Sequence, residues 1–293
     1  MPAGTDSTAT PVESRTRQVA RNIRTAIDAG QLKDGQALPS TRELAKKWNV
    51  SVFTINEAMK LLIEEGLVIS ESRSKRTVRA PGQRQRNEVR TSTPHVILIG
   101  GYAGSGKSEL GRIITRETGW PMIDKDTITR PVVEAALEMI GLSPNDRESE
   151  SYLTLIRPRE YEALMATLIE NVECGNSVIA TAPFIREYTD KAWIDRTRER
   201  LSGLNATMTL VWVHCDAETM HLYLRGRGAA RDAGKLADWS SYLSNITIGF
   251  RPNAPHIVVE NSGSSAPLQQ QAKDLIASVT SDGTTTEGSR ADS

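Results

Sequence analysis

The sequence has few cysteines and no long apolar run. Its two cysteines, Cys174 and Cys215, stand apart without metal-ligand spacing, which excludes a disulfide framework or a zinc site as the basis of the fold. We expect both to be plain structural thiols. No stretch approaches the roughly 18 apolar residues that cross a bilayer, and the first residues show neither a basic n-region nor an apolar h-region. The sequence therefore predicts a cytoplasmic protein without a membrane span.

Net charge is also absent, since 36 basic residues balance 36 acidic ones. The balance hides a division: residues 1–90 carry 16 Lys and Arg against 10 Asp and Glu, and the remainder carries 20 against 26. A basic first part joined to an acidic second part suggests nucleic acid as the partner of the first part. A solvated basic face is the alternative that composition leaves open.

The length of 293 residues predicts two domains. The polar, proline-bounded stretch at residues 81–94 has no apolar periodicity and is typical of a linker. We expect a first domain at residues 14–80 and a second domain at residues 95–280. Residues 1–13 and 281–293 are rich in small polar residues, and we expect them to be disordered.

The first domain shows helical periodicity. Val19, Ile23 and Ile27 recur at helical spacing before Gly30. Ser40 with Glu43 forms a capping box for a second helix, and Ser51 is the N-cap expected of a third. Two short strands, Leu67–Ser70 and Arg76–Arg79, follow. Three helices and a hairpin predict an α+β winged helix-turn-helix domain.

In the second domain, short apolar strands alternate with helices. The strand candidates are His95–Ile99, Pro121–Ile123, Ser177–Thr181, Met208–His214 and His256–Glu260. This alternation is typical of an open parallel sheet covered on both faces. It predicts an α/β domain with a mostly parallel sheet.

The segment from Gly101 to Ser108 satisfies G-x-x-x-x-G-K-[ST] and stands between a strand and a helix. Its backbone amides are expected to bind phosphate, with Lys107 at the β- and γ-phosphates and Ser108 at Mg²⁺. The residues expected to hold ATP or another nucleoside triphosphate are Gly101, Gly104, Ser105, Gly106, Lys107 and Ser108.

Asp124 and Asp126 follow the second strand, at the sheet edge where ligands of doubly wound folds bind. One carboxylate can hold Mg²⁺ through water, and the other can accept a proton from a substrate hydroxyl. We assign Asp124 to the metal and Asp126 to the proton. In the alternative interpretation, Asp126 merely caps the helix that begins near Thr127.

Arg225, Arg227 and Arg231 come after the helix that follows the fourth strand, among glycines. We expect a mobile lid that closes over the triphosphate, with a solvated basic loop as the alternative. For Arg157 and Arg159, surface salt bridges are favoured over a clamp for an anionic substrate.

Residues 14–80 resemble the DNA-binding domain of GntR-type bacterial transcription regulators, through segments such as Leu38–Ala45, Thr54–Ala58 and Leu62–Val68. The resemblance implies a homodimer on double-stranded operator DNA, with the helix from Ser51 in the major groove. Val52 and Asn56 replace arginines that are frequent in the family, and Asn56 suits adenine. The expected DNA-binding residues are Ser40, Arg42, Ser51, Thr54, Asn56, Arg73, Lys75 and Arg76.

Residues 95 to about 280 resemble the small P-loop kinases that phosphorylate metabolites or nucleotides, such as shikimate and gluconate kinases. The resemblance implies Lys107, Asp126, Arg225, Arg227 and Arg231 as catalytic residues. Thr181 stands where several such kinases have an aspartate, which weakens the case for efficient transfer.

Three functions remain open from the sequence. The first is a regulator whose kinase-like domain senses a nucleotide or a phosphorylatable metabolite and adjusts operator binding. The second is an active small-molecule or nucleotide kinase that also regulates its own gene. The third is a nucleic-acid kinase that the winged helix brings to its substrate.

Overall fold

The computed structural model describes residues 14–70, 76–79, 91 and 93–281. The N-terminal part forms three helices and an antiparallel hairpin, as the periodicity predicts. These elements are α1 (Arg15–Asp28), α2 (Thr41–Trp48), α3 (Val52–Glu64), β1 (Val68–Ser70) and β2 (Arg76–Val78).

The predicted helix caps are confirmed. The Ser40 hydroxyl accepts a hydrogen bond from the Glu43 amide at 3.3 Å, and the Glu43 carboxylate accepts one from the Ser40 amide at 2.8 Å. The Ser51 hydroxyl accepts from the Thr54 amide at 3.0 Å. Each such cap contributes about 1 kcal/mol. The caps therefore fix where α2 and α3 begin, and with them the direction of the helix-turn-helix.

The C-terminal part alternates strands and helices around one sheet. Its elements are β3 (His95–Gly100), α4 (Lys107–Thr118), β4 (Met122–Asp124), α5 (Lys125–Met139), a π-helical turn (Tyr152–Ile156), α6 (Arg157–Glu173), β5 (Val178–Thr181), α7 (Ile185–Thr189), α8 (Lys191–Gly203), β6 (Thr207–His214), α9 (Ala217–Arg227), a 3₁₀ turn (Ala230–Asp232), α10 (Ala233–Ala237), α11 (Trp239–Ser244), β7 (Ile257–Glu260) and α12 (Leu268–Ser281). Among the described residues, no helix combines the length and the apolar character that a membrane span requires.

The five strands are parallel and run in the order β4-β5-β3-β6-β7. This confirms the predicted parallel sheet, whose two faces are covered by separate apolar cores. The order places the carboxyl ends of β4, β5 and β3 side by side. The chain after β3, the last residue of β4 and the last residue of β5 therefore meet at one edge.

The two parts of the chain are packed against each other. Ala29, directly after α1, belongs to the apolar core beneath one face of the sheet. The Arg21 guanidinium of α1 donates to the carbonyls of Ser262 and Ala266, which follow β7. The Trp48 ring at the end of α2 lies against Gly226 of α9. The helix-turn-helix is thus docked on the P-loop domain along α1 and α2.

Candidate nucleotide-binding and DNA-binding sites

The segment 101–108 turns between β3 and α4. Gly106 has a φ of +95°, and a Cβ built there would lie 2.3 Å from the side-chain nitrogen of Asn261. That nitrogen donates to the Ser105 carbonyl at 2.9 Å and supports the loop from behind. Glycine is therefore required at position 106. The loop leads directly into the N-terminus of α4, where backbone amides and the helix dipole favour an anion.

Lys107 is the first residue of α4. Its amine lies 3.4 Å from the Tyr102 carbonyl. Part of the side chain is accessible from the cleft, but the protein packed around the amine disfavours the charged form. That burial, followed by the nearby Arg227 guanidinium, lowers the pKa of Lys107. The amine is thus placed where an added negative charge would stabilise its ammonium form.

Ser108, Asp124 and Thr181 meet at the sheet edge. The Ser108 hydroxyl donates to Asp124 Oδ2 at 2.9 Å, and the Thr181 hydroxyl donates to the same oxygen at 2.7 Å. The other oxygen, Oδ1, accepts from the Thr127 amide at 3.0 Å. Asp124 is therefore the N-cap of α5, and the alternative in which Asp126 caps this helix is wrong.

This cluster fits a magnesium ion that arrives with a nucleotide. Mg²⁺ prefers oxygen ligands and commonly combines one or two protein ligands with substrate phosphates and water. Ser108 and Asp124 supply a hydroxyl and a carboxylate oxygen within hydrogen-bond distance of each other. Within the described part of the chain, no three His, Cys, Asp or Glu side chains converge on a metal position. Phosphate oxygens would have to complete the coordination.

Asp126 lies beside a buried polar network that the sequence did not reveal. The Lys125 amine lies 3.0 Å from Asp126 Oδ1 and 2.6 Å from Glu160 Oε1. Glu160, which is 3% exposed, also accepts from the Thr129 and Tyr152 hydroxyls at 2.8 and 2.6 Å. The network fixes Lys125, which in turn holds the 38% exposed Asp126 carboxylate. Lys125 and Glu160 are 35 residues apart, so no local pattern predicts their pairing.

The arginine segment differs from the sequence prediction. Arg225 and Arg227 form the last turn of α9 instead of following it, and Gly226 between them is helical. The Arg227 Nε donates to the buried Asp232 carboxylate at 2.9 Å. Arg231 lies in the 3₁₀ turn that follows, and its side chain is outside the described part of the structure. The predicted glycine-hinged loop is therefore wrong for positions 225–227.

Two further arginines are held by acidic partners. The Arg157 guanidinium donates to Glu187 at 2.9 Å and lies 4.2 Å from the Tyr161 ring centre. Arg159 pairs with Glu162 at 2.6 Å on the surface. Arg159 matches the favoured surface salt bridge, whereas the Arg157 pair is largely buried and links α6 to α7.

The expected DNA-contacting face is accessible. Ser40, Arg42, Ser51, Val52 and Phe53 are exposed at the starts of α2 and α3. Phe53 is 71% exposed and Val52 beside it is 46% exposed, so the first turn of α3 presents an apolar surface. Apolar side chains on a recognition helix can contact thymine methyl groups. The docked P-loop domain leaves this face open.

The hairpin is tied to both helices of the helix-turn-helix. One Arg76 nitrogen of β2 donates to the Thr41 hydroxyl at 2.7 Å, and another donates to the Asn56 side-chain oxygen at 3.1 Å. A bidentate contact from Asn56 to adenine would need this oxygen to be released. Arg73 and Lys75 lie outside the described residues.

A cleft of about 800 Å³ opens above the P-loop and is walled by both domains. The P-loop domain contributes Lys107, Ser108, Asp124, Asp126, Arg130 and Arg227 to its floor and sides. The DNA-binding domain contributes residues of α1, of α2 and of the loop between them. Burial raises the pKa of Tyr223, which also lines the cleft, to about 12, so its hydroxyl keeps its proton at neutral pH.

Two family models match the chain. Residues 15–78 match the family described as bacterial regulatory proteins, gntR family. Residues 96–247 match the family described as AAA domain. The first match covers the three helices and the hairpin, and the second covers the sheet edge with the P-loop and Asp124.

Individual relatives are kinases and a regulator. Over 131 residues, 40% of this chain and 69% of the other protein, the chain is 27% identical to a shikimate kinase of Moorella thermoacetica. A gluconokinase structure from Sinorhizobium meliloti 1021 is 16% identical, with a TM-score of 0.45, over 67% of this chain and 99% of its own. A GntR-family regulator structure is 29% identical, with a TM-score of 0.21, over 30% of this chain and 31% of its own.

Proposed function

Because this chain belongs to the AAA domain family through residues 96–247 and carries a gntR-family DNA-binding domain at residues 15–78, we propose that it is a nucleotide-responsive transcription regulator. In this proposal, ATP or another nucleoside triphosphate binds the P-loop with Mg²⁺, and its occupancy alters how a homodimer binds operator DNA. The cytoplasm is the compartment that such a function requires.

The observation that carries the proposal is the position of the cleft. The phosphate-binding residues and helices α1 and α2 of the DNA-binding domain line the same space, while the starts of α2 and α3 stay exposed. A ligand can shift an equilibrium only by its difference in affinity for the two states. About 1.4 kcal/mol of difference changes operator affinity tenfold. A nucleotide that contacts both walls has the means to supply it.

The test measures DNA binding with and without nucleotide. A duplex selected from a random library by the full chain serves as the operator, and its affinity is measured by fluorescence anisotropy with Mg²⁺, with and without ATP. We expect a change of about tenfold in either direction. Arg42→Ala should weaken binding at both ATP levels and reduce its salt dependence, because it removes a phosphate contact. Unchanged affinity and stoichiometry with ATP would contradict the sensor.

A second function, phosphotransfer to a small molecule, is supported by Asp126. Its carboxylate lines the cleft with Lys107 and Ser108 and is positioned by the buried Lys125. In this role Asp126 accepts the proton of the acceptor hydroxyl, while Lys107 and Arg227 stabilise charge on the phosphoryl group. When bound, Mg²⁺ would supply charge neutralisation between phosphates.

Asp126→Asn separates the two functions. If the chain transfers phosphate, ADP release with a panel of hydroxylated metabolites should fall by about 10²-fold or more, because a general base contributes on that order. ATP affinity should stay unchanged, since Asp126 is not expected to hold the nucleotide. If the chain is only a sensor, the wild type should release ADP no faster than the Lys107→Met variant does.

A further inference from the structure

The cleft wall formed by the DNA-binding domain carries fewer charged side chains than the wall formed by the P-loop domain. It contributes amide and hydroxyl side chains, including Asn22, Thr25 and Gln31, and apolar groups such as Ile23 and Trp48. Among the described residues on this wall, Lys47 alone is charged at neutral pH. A mostly apolar wall with a few placed polar groups is typical of a small-molecule site.

Asn22 is the residue on this wall that points to a ligand. It lies in α1 and is only 6% exposed, and its side-chain nitrogen has no hydrogen-bond partner among the described residues. An unsatisfied buried donor costs about 1–3 kcal/mol, and such groups in native proteins call for an explanation. Asn22 lines the same cleft as Lys107 and Ser108. The nitrogen itself is closed off from the cleft in this structure, so a ligand held by the P-loop would reach it once the Asn22 side chain turns toward the cleft.

The position of α1 is fixed by contacts on either side of Asn22. Arg21 binds the carbonyls of Ser262 and Ala266. Gln31, beyond the end of α1, donates to Glu109 of α4 at 3.2 Å. These contacts hold α1 against the P-loop domain. The position of Asn22 beside the cleft is therefore fixed by side-chain hydrogen bonds between the two domains.

We propose that the nucleotide site is composite: the DNA-binding domain supplies its second wall, and Asn22 donates a hydrogen bond to a nucleoside triphosphate whose phosphates are held by the P-loop. The cleft volume of about 800 Å³ lies within the range of small-molecule sites. The charged wall of the P-loop domain suits the triphosphate, and the wall of the DNA-binding domain, where Lys47 is the one charged residue among those described, suits the nucleoside. This inference rests on the proposed function, because it requires that the P-loop binds a nucleotide.

The first experiment compares ATP affinity by isothermal titration calorimetry with Mg²⁺ on the full chain. Asn22→Ala should bind ATP about 5- to 10-fold more weakly, as expected for one lost hydrogen bond. Asn22→Asp should bind at least as weakly, since a carboxylate cannot donate and repels phosphate. Arg17→Ala, at an exposed position of the same helix, should bind like the wild type. Without ATP, Asn22→Ala should melt at the same or a higher temperature, because it removes an unsatisfied donor.

The outcomes separate the two proposals. Suppose that the wild type binds ATP, that Lys107→Met binds it at least about tenfold more weakly, and that both Asn22 variants bind like the wild type. The composite site is then overturned while the nucleotide-binding P-loop stands. If the wild type itself binds no nucleoside triphosphate, the proposed function fails and the composite site fails with it.

A second measurement does not depend on variants that fold. The full chain is irradiated with 8-azido-ATP, digested and analysed by mass spectrometry. We expect labelled peptides from residues 14–70 as well as from the P-loop domain, and excess ATP should suppress both. Labelling confined to residues 95–281 would overturn the proposal.

Discussion

Replacing Gly226 with alanine should separate the DNA-binding domain from the P-loop domain. A Cβ at this position would lie 2.4 Å and 2.5 Å from two ring carbons of Trp48, so the indole must move away. Overpacking of this kind costs about 1–3 kcal/mol, partly offset by the better helix propensity of alanine. We expect a net loss of about 1–2 kcal/mol in unfolding free energy, and a loss of any ATP effect on operator binding, measured by denaturation and anisotropy.

Gly234→Ala is the matched control. Gly234 is the second residue of α10, and a Cβ there would meet no described atom within 4 Å. It should be neutral or stabilising by up to about 1 kcal/mol. Trp48→Phe, which shortens the ring, should relieve Gly226→Ala in a double-mutant cycle. Equal stability of the two glycine variants would show that Trp48 does not press on α9.

Lys107→Met should weaken nucleotide binding strongly and stabilise the protein at the same time. Hydrogen bonds to charged groups contribute about 1.5–3 kcal/mol, so ATP affinity should fall on the order of 10- to 100-fold or more. Without nucleotide, the folded wild type is destabilised by an ammonium group whose charged form is disfavoured by burial, and the variant lacks that group. We expect the unfolding free energy to increase by about 1 kcal/mol, because replacing a functional residue often stabilises a protein at the expense of its function.

The lowered pKa of Lys107 also predicts how the stability gain of Lys107→Met depends on pH. Because the folded state lowers the pKa of Lys107, the unfolded chain binds the proton more strongly. The cost is complete below the folded pKa, decreases as pH rises between the folded and unfolded pKa values, and is absent above both. The stability advantage of Lys107→Met should shrink in that alkaline interval. An advantage that grows with rising pH, in denaturation from neutral to alkaline buffer, would contradict this account.

Sequence reasoning located the local features of the fold well, because each rests on neighbouring residues. The P-loop and α4 follow from one eight-residue motif, and the starts of α2 and α3 follow from Ser40 and Ser51. The strand predicted at residues 121–123 is displaced by one residue, since β4 spans Met122–Asp124. Asp124 is a poor strand former, but it pairs with Thr181 of β5 and accepts hydrogen bonds from the Ser108 and Thr181 hydroxyls. Contacts from distant segments decided its position.

The relation between the domains could not be predicted from the sequence. Trp48 lies on the inner face of α2 and belongs to the core of the DNA-binding domain. Its second contact, with Gly226, joins positions 178 residues apart, and no periodicity reports such a pairing. The same contact explains why Arg225 and Arg227 are helical and not part of a loop. Gly226 is typical of a hinge in the sequence, but in the structure it makes room for the Trp48 indole on the surface of α9.

The two-walled cleft has a kinetic consequence. In the composite site that we propose, a molecule leaves only after it breaks its contacts with both walls, so its residence time depends on α1 and α2 as well as on the P-loop. A promoter controlled by such a protein would respond with a delay, following the average supply of the small molecule and filtering out brief fluctuations.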